Sequence, residues 1–161
     1  MSLRLAVVGV GAVGRSVVEL APDYGHVVTA VADSRSSAVD PDGIDADATF
    51  ERKEREGVVG SGDPADALAA EYDVLVEATP TTLGDAEPGF SHVRAALERD
   101  RHVVLANKGP VAERYADLRA LEAESDRSAS VASVLDSIRR SVSERSVSTM
   151  SPTSRRVNSS P

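Results

Sequence analysis

Four short apolar runs separated by helix-like stretches constrain the first 124 residues more than any other feature. They are Leu3–Gly9 (LRLAVVG), His26–Ala32 (HVVTAVA), Asp73–Ala78 (DVLVEA) and His102–Ala106 (HVVLA). Each is apolar at consecutive positions rather than alternate ones, which predicts strands covered on both faces. Helices are predicted over 12–20, 47–56, 63–71, 88–100 and 111–124. Pro22 helps to end the first, and Asp63-Pro64 forms an N-cap and first-turn pair opening the third. Buried strands joined by helices pair in parallel through right-handed crossovers. The expected fold is an α/β, doubly wound, mainly parallel sheet.

The first strand runs directly into Gly9-Val10-Gly11-Ala12-Val13-Gly14, which fits G-x-G-x-x-G at the point where a strand gives way to a helix. In that context the first glycine permits the tight turn and the second lets backbone approach a pyrophosphate. The third lets helix and strand pack closely. Free N–H groups at the helix start then face the phosphates. Asp33 ends the second strand nineteen residues after Gly14, where a carboxylate accepts hydrogen bonds from the adenine ribose. The pattern predicts a Rossmann-type site for NAD(P); the bland alternative is a tight strand–helix turn with no ligand. Asp33 would repel a 2′-phosphate, whereas Arg35 and Lys53 could pair with one or could simply be solvated charges. NAD and NADP therefore both stay open.

Composition narrows the remaining classes. The chain of 161 residues suits one domain of ordinary size. It has no cysteine, which removes disulfides, thiolate zinc and cysteine nucleophiles, and its three histidines are too dispersed to predict a metal centre. The net charge of −8 argues against a nucleic-acid surface. No apolar run approaches the ~20 residues of a membrane span, and Arg4 interrupts the first apolar stretch, so no signal peptide is expected. A cytoplasmic protein binding a small-molecule cofactor is the expectation, with oligomeric state open.

Composition shifts at Ser125. Residues 1–124 carry 12 basic and 23 acidic side chains; residues 125–161 carry 6 and 3, and 13 of these 37 residues are serine. The expected organisation is a dinucleotide-binding domain over 1–124 and a Ser/Arg-rich tail over 125–161, largely without structure. Within the tail Val131, Val134, Leu135, Ile138 and Val142 share one helical face, which predicts a short helix near 130–145.

Two further segments are more specific than the glycine turn. Glu77–Phe90 reads EATPTTLGDAEPGF and His102–Ala112 reads HVVLANKGPVA. With GVGAVG and Ala32-Asp33-Ser34, they resemble homoserine dehydrogenase over residues 3–124, the N-terminal nucleotide-binding half of that family. The resemblance implies an NAD(P)-dependent hydride transfer between homoserine and aspartate semialdehyde, in threonine and methionine biosynthesis. Ala78-Thr79-Pro80 follows the third strand, at the carboxyl edge where open α/β sheets bind ligands. Its small residues and hydroxyl suit a nicotinamide ribose, or else form an ordinary loop. Asn107 and Lys108 follow the fourth strand at the same edge. The resemblance implies that Lys108 approaches cofactor and substrate, making it the one catalytic candidate. His92 and His102 are expected in packing or at the surface, and Asp85 and Glu87 in shaping a loop.

The resemblance ends after Glu124, before the second domain that binds substrate in that family. The chain is thus expected to be a truncated cofactor half with an open sheet edge beside its fourth strand. It would meet homoserine or aspartate semialdehyde only if a catalytic domain were supplied, and would turn over little alone. The alternatives are a non-catalytic dinucleotide-binding module and the cofactor domain of another two-domain dehydrogenase.

Overall fold

Leu5, Ala6, Val7 and Val8 are all buried because successive strand side chains point to opposite faces and both faces are covered. Leu5 and Val7 join one core with Val18, Val28, Val31 and Phe50, while Ala6 and Val8 join a second with Ala30, Leu75, Phe90 and Leu105. Leu5, Ala6, Val7 and Val8 belong to β1 (Arg4–Val8), one of the inner strands of a six-stranded sheet. The computed structural model describes residues 1–125 and 129–133.

The elements that follow are α1 (Ala12–Leu20), β2 (Val27–Ala32), β3 (Ser37–Val39), α2 (Ala46–Glu56), α3 (Pro64–Ala69) and β4 (Val74–Glu77). Then come α4 (Gly89–Leu97), β5 (His102–Leu105), α5 (Gly109–Glu113), α6 (Tyr115–Glu124) and β6 (Val131–Ser133). The strand order is β3-β2-β1-β4-β5-β6, with every pairing parallel except the antiparallel β2–β3. This is the doubly wound, mainly parallel Rossmann-type sheet that the apolar runs predict, with its strand order reversing between β1 and β4. α3 starts as its sequence implies: Asp63 accepts from Ala65 N, and Asp66 returns a bond to Asp63 N, a capping box.

Four features depart from the sequence reading. β3 (Ser37-Ala38-Val39) is too short a strand for a period to show; it pairs with Ala30–Ala32 of β2, and the Ser37 hydroxyl donates to Asp63 O at 2.6 Å and Ser37 N to Gly62 O at 2.9 Å, which ties it to the segment before α3. The helix expected over 111–124 is two helices that break at Arg114 (φ −128°, ψ 30°), whose guanidinium lies 4.0 Å from the Phe90 ring centre. The helix expected near 130–145 is corrected at its start. Val131–Ser133 form β6, aligned with Val103–Leu105 of β5, and Val131 N donates to Glu122 Oε1 at 2.6 Å. An i, i+3, i+4 pattern is local information, whereas the unpaired edge of β5 offers a row of backbone partners. The edge beside β5 is thereby covered, and β6 becomes the outer strand; the rest of the predicted tail helix lies outside the described residues.

β5 also differs from the expected two-sided burial. Val103 and Leu105 are buried but His102 and Val104 are exposed, because α4 and α6 lie on one face and no described helix covers the other.

Candidate dinucleotide-binding site

The carboxyl ends of β1 and β4, where strand order reverses, open into a cleft of about 1110 Å³. The glycine turn forms its floor. Gly9 has φ +94°, a left-handed conformation that favours glycine, and donates its N–H to Ala32 O at 2.9 Å. A Cβ on Gly9 would run into the backbone of Ala78, and one on Gly14 would overlap the carbonyl oxygen of Gly9. Gly11 is different: a Cβ there meets nothing within 4 Å, since the residue faces the open cleft. Two glycines thus bring β1, α1 and the loop after β4 together, while the third leaves backbone bare at the start of α1. A bare helix start with free N–H groups suits a pyrophosphate, so the cradle fits a dinucleotide.

At one end of the cleft Asp33 opens the turn after β2. Its side chain is only 7% exposed. Oδ1 accepts from Arg35 N at 2.8 Å, Ser36 N at 2.7 Å and Ser36 Oγ at 3.1 Å, and Oδ2 pairs with Lys53 Nζ on α2. Burial by itself pushes this carboxyl up, but the Lys53 ammonium and the two backbone N–H groups outweigh it and hold Asp33 below the usual aspartate range. Both Asp33 and Lys53 line the cleft. Arg35 does not: its guanidinium donates to Gly57 O at 2.6 Å, at the end of α2.

At the other end lie Ala78, Thr79, Pro80, Thr81 and Thr82, with Pro88 and His92 of the next segment. Glu77, the last residue of β4, is fully buried. Its Oε1 accepts from Thr79 N at 2.8 Å and from the Thr79 hydroxyl, and its Oε2 lies 2.6 Å from His92 Nδ1. Asn107, also buried, donates from Nδ2 to Thr79 Oγ1 at 3.1 Å and accepts from Gly109 N at 2.9 Å. A side chain on Gly109 would collide with Thr82 O, so that glycine permits the loops after β4 and β5 to touch. Lys108 begins α5; it is exposed, and its backbone N donates to Thr81 Oγ1 at 3.3 Å.

Of the residues singled out from sequence, Gly9, Val10, Gly11, Ala12, Val13, Asp33, Lys53, Ala78, Thr79 and Pro80 meet on the cleft wall. Gly14, Arg35, Asn107 and Lys108 do not line it; Gly14 and Asn107 act from behind, through packing and hydrogen bonds. Sequence reasoning missed the Glu77–His92 pair. Its only signal is an acidic residue ending an otherwise apolar strand, and the partner lies fifteen residues on, across a loop. Among the described residues no cluster of His, Asp and Glu could hold a metal ion, and no helix is long and apolar enough to cross a membrane.

Comparison with known proteins agrees with this geometry. The family model for the NAD-binding domain of homoserine dehydrogenase matches residues 9–132, a span that begins at the glycine turn and reaches into β6. The NAD(+)-dependent homoserine dehydrogenase of Pseudomonas canavaninivorans is 33% identical over 137 residues, 73% of this chain and 39% of that protein. The crystal structure of homoserine dehydrogenase from Thermoplasma acidophilum superposes with a TM-score of 0.70 at 26% identity, covering 83% of this chain and 43% of that one. A hyperthermophilic archaeal homoserine dehydrogenase in complex with NADPH shares the fold, with a TM-score of 0.65 at 21% identity over 82% of this chain and 43% of that one. The chain spans about 40% of the length of the curated relatives it matches. With a glycine cradle at the switch point, an acidic residue after β2 and a family match that runs from the glycine turn into β6, the chain belongs to the homoserine dehydrogenase family and carries its NAD-binding domain.

Proposed function

We propose that the cleft holds NAD(P) extended across the glycine turn, and that this domain is the cofactor half of a homoserine–aspartate semialdehyde oxidoreductase. The carrying observation is one continuous cleft with Asp33 and Lys53 at one end, the bare backbone of Gly11 between, and the Thr79–Pro80 loop at the other. The adenine ribose lies against Asp33, the pyrophosphate on the start of α1, and the nicotinamide ribose against Thr79. When bound, the nicotinamide supplies the hydride donor or acceptor.

The chain's own residues orient it. Thr79 cannot swing freely, because its hydroxyl is held between Glu77 and Asn107. The loop is also tied to Lys108, whose backbone N donates to the Thr81 hydroxyl at 3.3 Å. Lys108 stands at the head of α5 on the same edge, with its backbone bonded to Thr81 of that loop, and we assign it the substrate-proximal role. Hydride transfer needs cofactor and substrate fixed in near-attack geometry with a group to move the proton. Further substrate-holding groups therefore have to come from outside the described residues, and the described sheet alone should turn over little.

Charge at the adenine end bears on NAD against NADP. Arg35 is committed to the Gly57 carbonyl, so Lys53 is the cation placed to meet a 2′-phosphate, at the expense of its bond to Asp33. The site then takes either nucleotide: Asp33 receives ribose hydroxyls from NADH, and Lys53 pairs with the extra phosphate of NADPH. Calorimetric titration of the 161-residue chain with NADH and NADPH tests the reading. Saturable one-to-one binding of at least one is expected, and binding of neither overturns it.

A further inference from the structure

His92 is the unused chemistry of the cleft. Sequence places it in packing or at the surface, yet it lines the cleft beside Pro80 and Thr82, and its side chain is 18% exposed. Its Nδ1 is bound to Oε2 of Glu77, a carboxylate with no exposure and with its other oxygen already taken by Thr79. A carboxylate only accepts, so the Nδ1 side carries the proton and the ring is fixed in rotation and tautomer. In the neutral ring Nε2 then presents a lone pair. It has no hydrogen-bond partner among the described residues, and it is not sealed off, since Arg101 Nε is the one buried side-chain polar atom left unpartnered there. The other titratable groups on the cleft wall, Asp33, Lys53 and Asp63, sit away from the Thr79–Pro80 loop, on the turn after β2, on α2 and at the head of α3.

We propose that His92 Nε2 accepts a hydrogen bond from the nicotinamide half of the bound nucleotide, from its carboxamide N–H or its ribose hydroxyl, with Glu77 holding the ring in place. This rests on the cofactor reading above. A purely structural histidine would have no need to stand on the cleft wall with one nitrogen open.

Two substitutions separate contact from support. His92→Asn keeps an N–H where Nδ1 stood, and so keeps the bond to Glu77, but removes Nε2; His92→Phe removes both. Binding of NADH, followed by its own fluorescence, is compared with binding of ADP, which has only the adenine half. Expected is a loss of about tenfold in NADH affinity for both variants, the size of one neutral hydrogen bond, with ADP affinity unchanged. Wild-type NADH affinity in His92→Asn overturns the inference, because the ring then serves only Glu77. Equal loss of both ligands overturns it too, since the effect is then not confined to the nicotinamide end. If the unsubstituted chain binds ADP but gains nothing from the nicotinamide half, this inference falls while the adenine site stands; if it binds neither, the cofactor reading itself has failed.

Discussion

The two ends of the cleft are built on different principles. At the end assigned above to adenine, Asp33 and Lys53 stand on the cleft wall; Oδ1 of Asp33 is held by its own turn, while Oδ2 pairs with the more exposed Lys53 ammonium, a contact that a ligand can exchange. At the nicotinamide end the polar groups are turned inward. Glu77, Thr79 and Asn107 spend their hydrogen bonds on one another, and together with His92 they clamp the loops after β4 and β5 to α4. An exchangeable pair tolerates different nucleotides. A closed buried network fixes geometry, because any member left unpaired away from water is costly.

The sharpest way to break this contrast is to remove the centre of the buried network. Glu77→Leu leaves the Thr79 hydroxyl, its N–H and His92 Nδ1 without their acceptor, and should cost about 4 kcal/mol in denaturant unfolding. Gly14→Val drives a side chain into the Gly9 carbonyl and should cost about 3 kcal/mol, abolishing nucleotide binding through distortion of the turn. Thr79→Val keeps the shape of the loop but removes the hydroxyl between Glu77 and Asn107, for about 1.5 kcal/mol.

Substitutions at the end assigned to adenine should register in nucleotide selectivity. Lys53→Met should weaken NADPH about tenfold relative to NADH, read by parallel titrations. If NADPH and NADH fall together, Lys53 is not the phosphate partner. The smallest effect is acidic. Asp33, beside Lys53, and Asp73, bonded to the Arg4 guanidinium, both titrate below the usual aspartate range. A depressed carboxyl contributes stability that is fully present above the unfolded value of about 3.9 and is lost as pH falls through the lower native value. Unfolding midpoints should therefore hold steady from pH 7 to about 5 and drop below about 4, with Asp33→Asn making that drop shallower.

Legibility followed the range of the interactions. β1, β2 and β4 could be read because burial on both sides demands unbroken apolar runs, β5 because its run is equally apolar although one face is exposed, and α1 and α3 because glycines, prolines and caps act within a few residues. The glycine turn and Asp33 were legible for the same reason, since their spacing is set along one strand–turn–helix unit. β3 and β6 were not: each is only three residues long, too short for a period to show, and β6 takes strand form from Val103–Leu105, twenty-eight residues back, while β3 pairs with β2 and is tied through Ser37 to Asp63. Arg35 and Lys53 looked equivalent in sequence, and only the nearby Gly57 carbonyl, which captures Arg35, separates them.

By itself the sequence determined a parallel α/β sheet with a nucleotide cradle at the end of its first strand, because periodicity and turn chemistry are properties of neighbours along the chain. Which polar side chains face the cleft and which face each other was decided only by the tertiary structure. Glu77 and His92 belong to different elements, and a hydrogen bond between them exists only once β4 and α4 have been packed together.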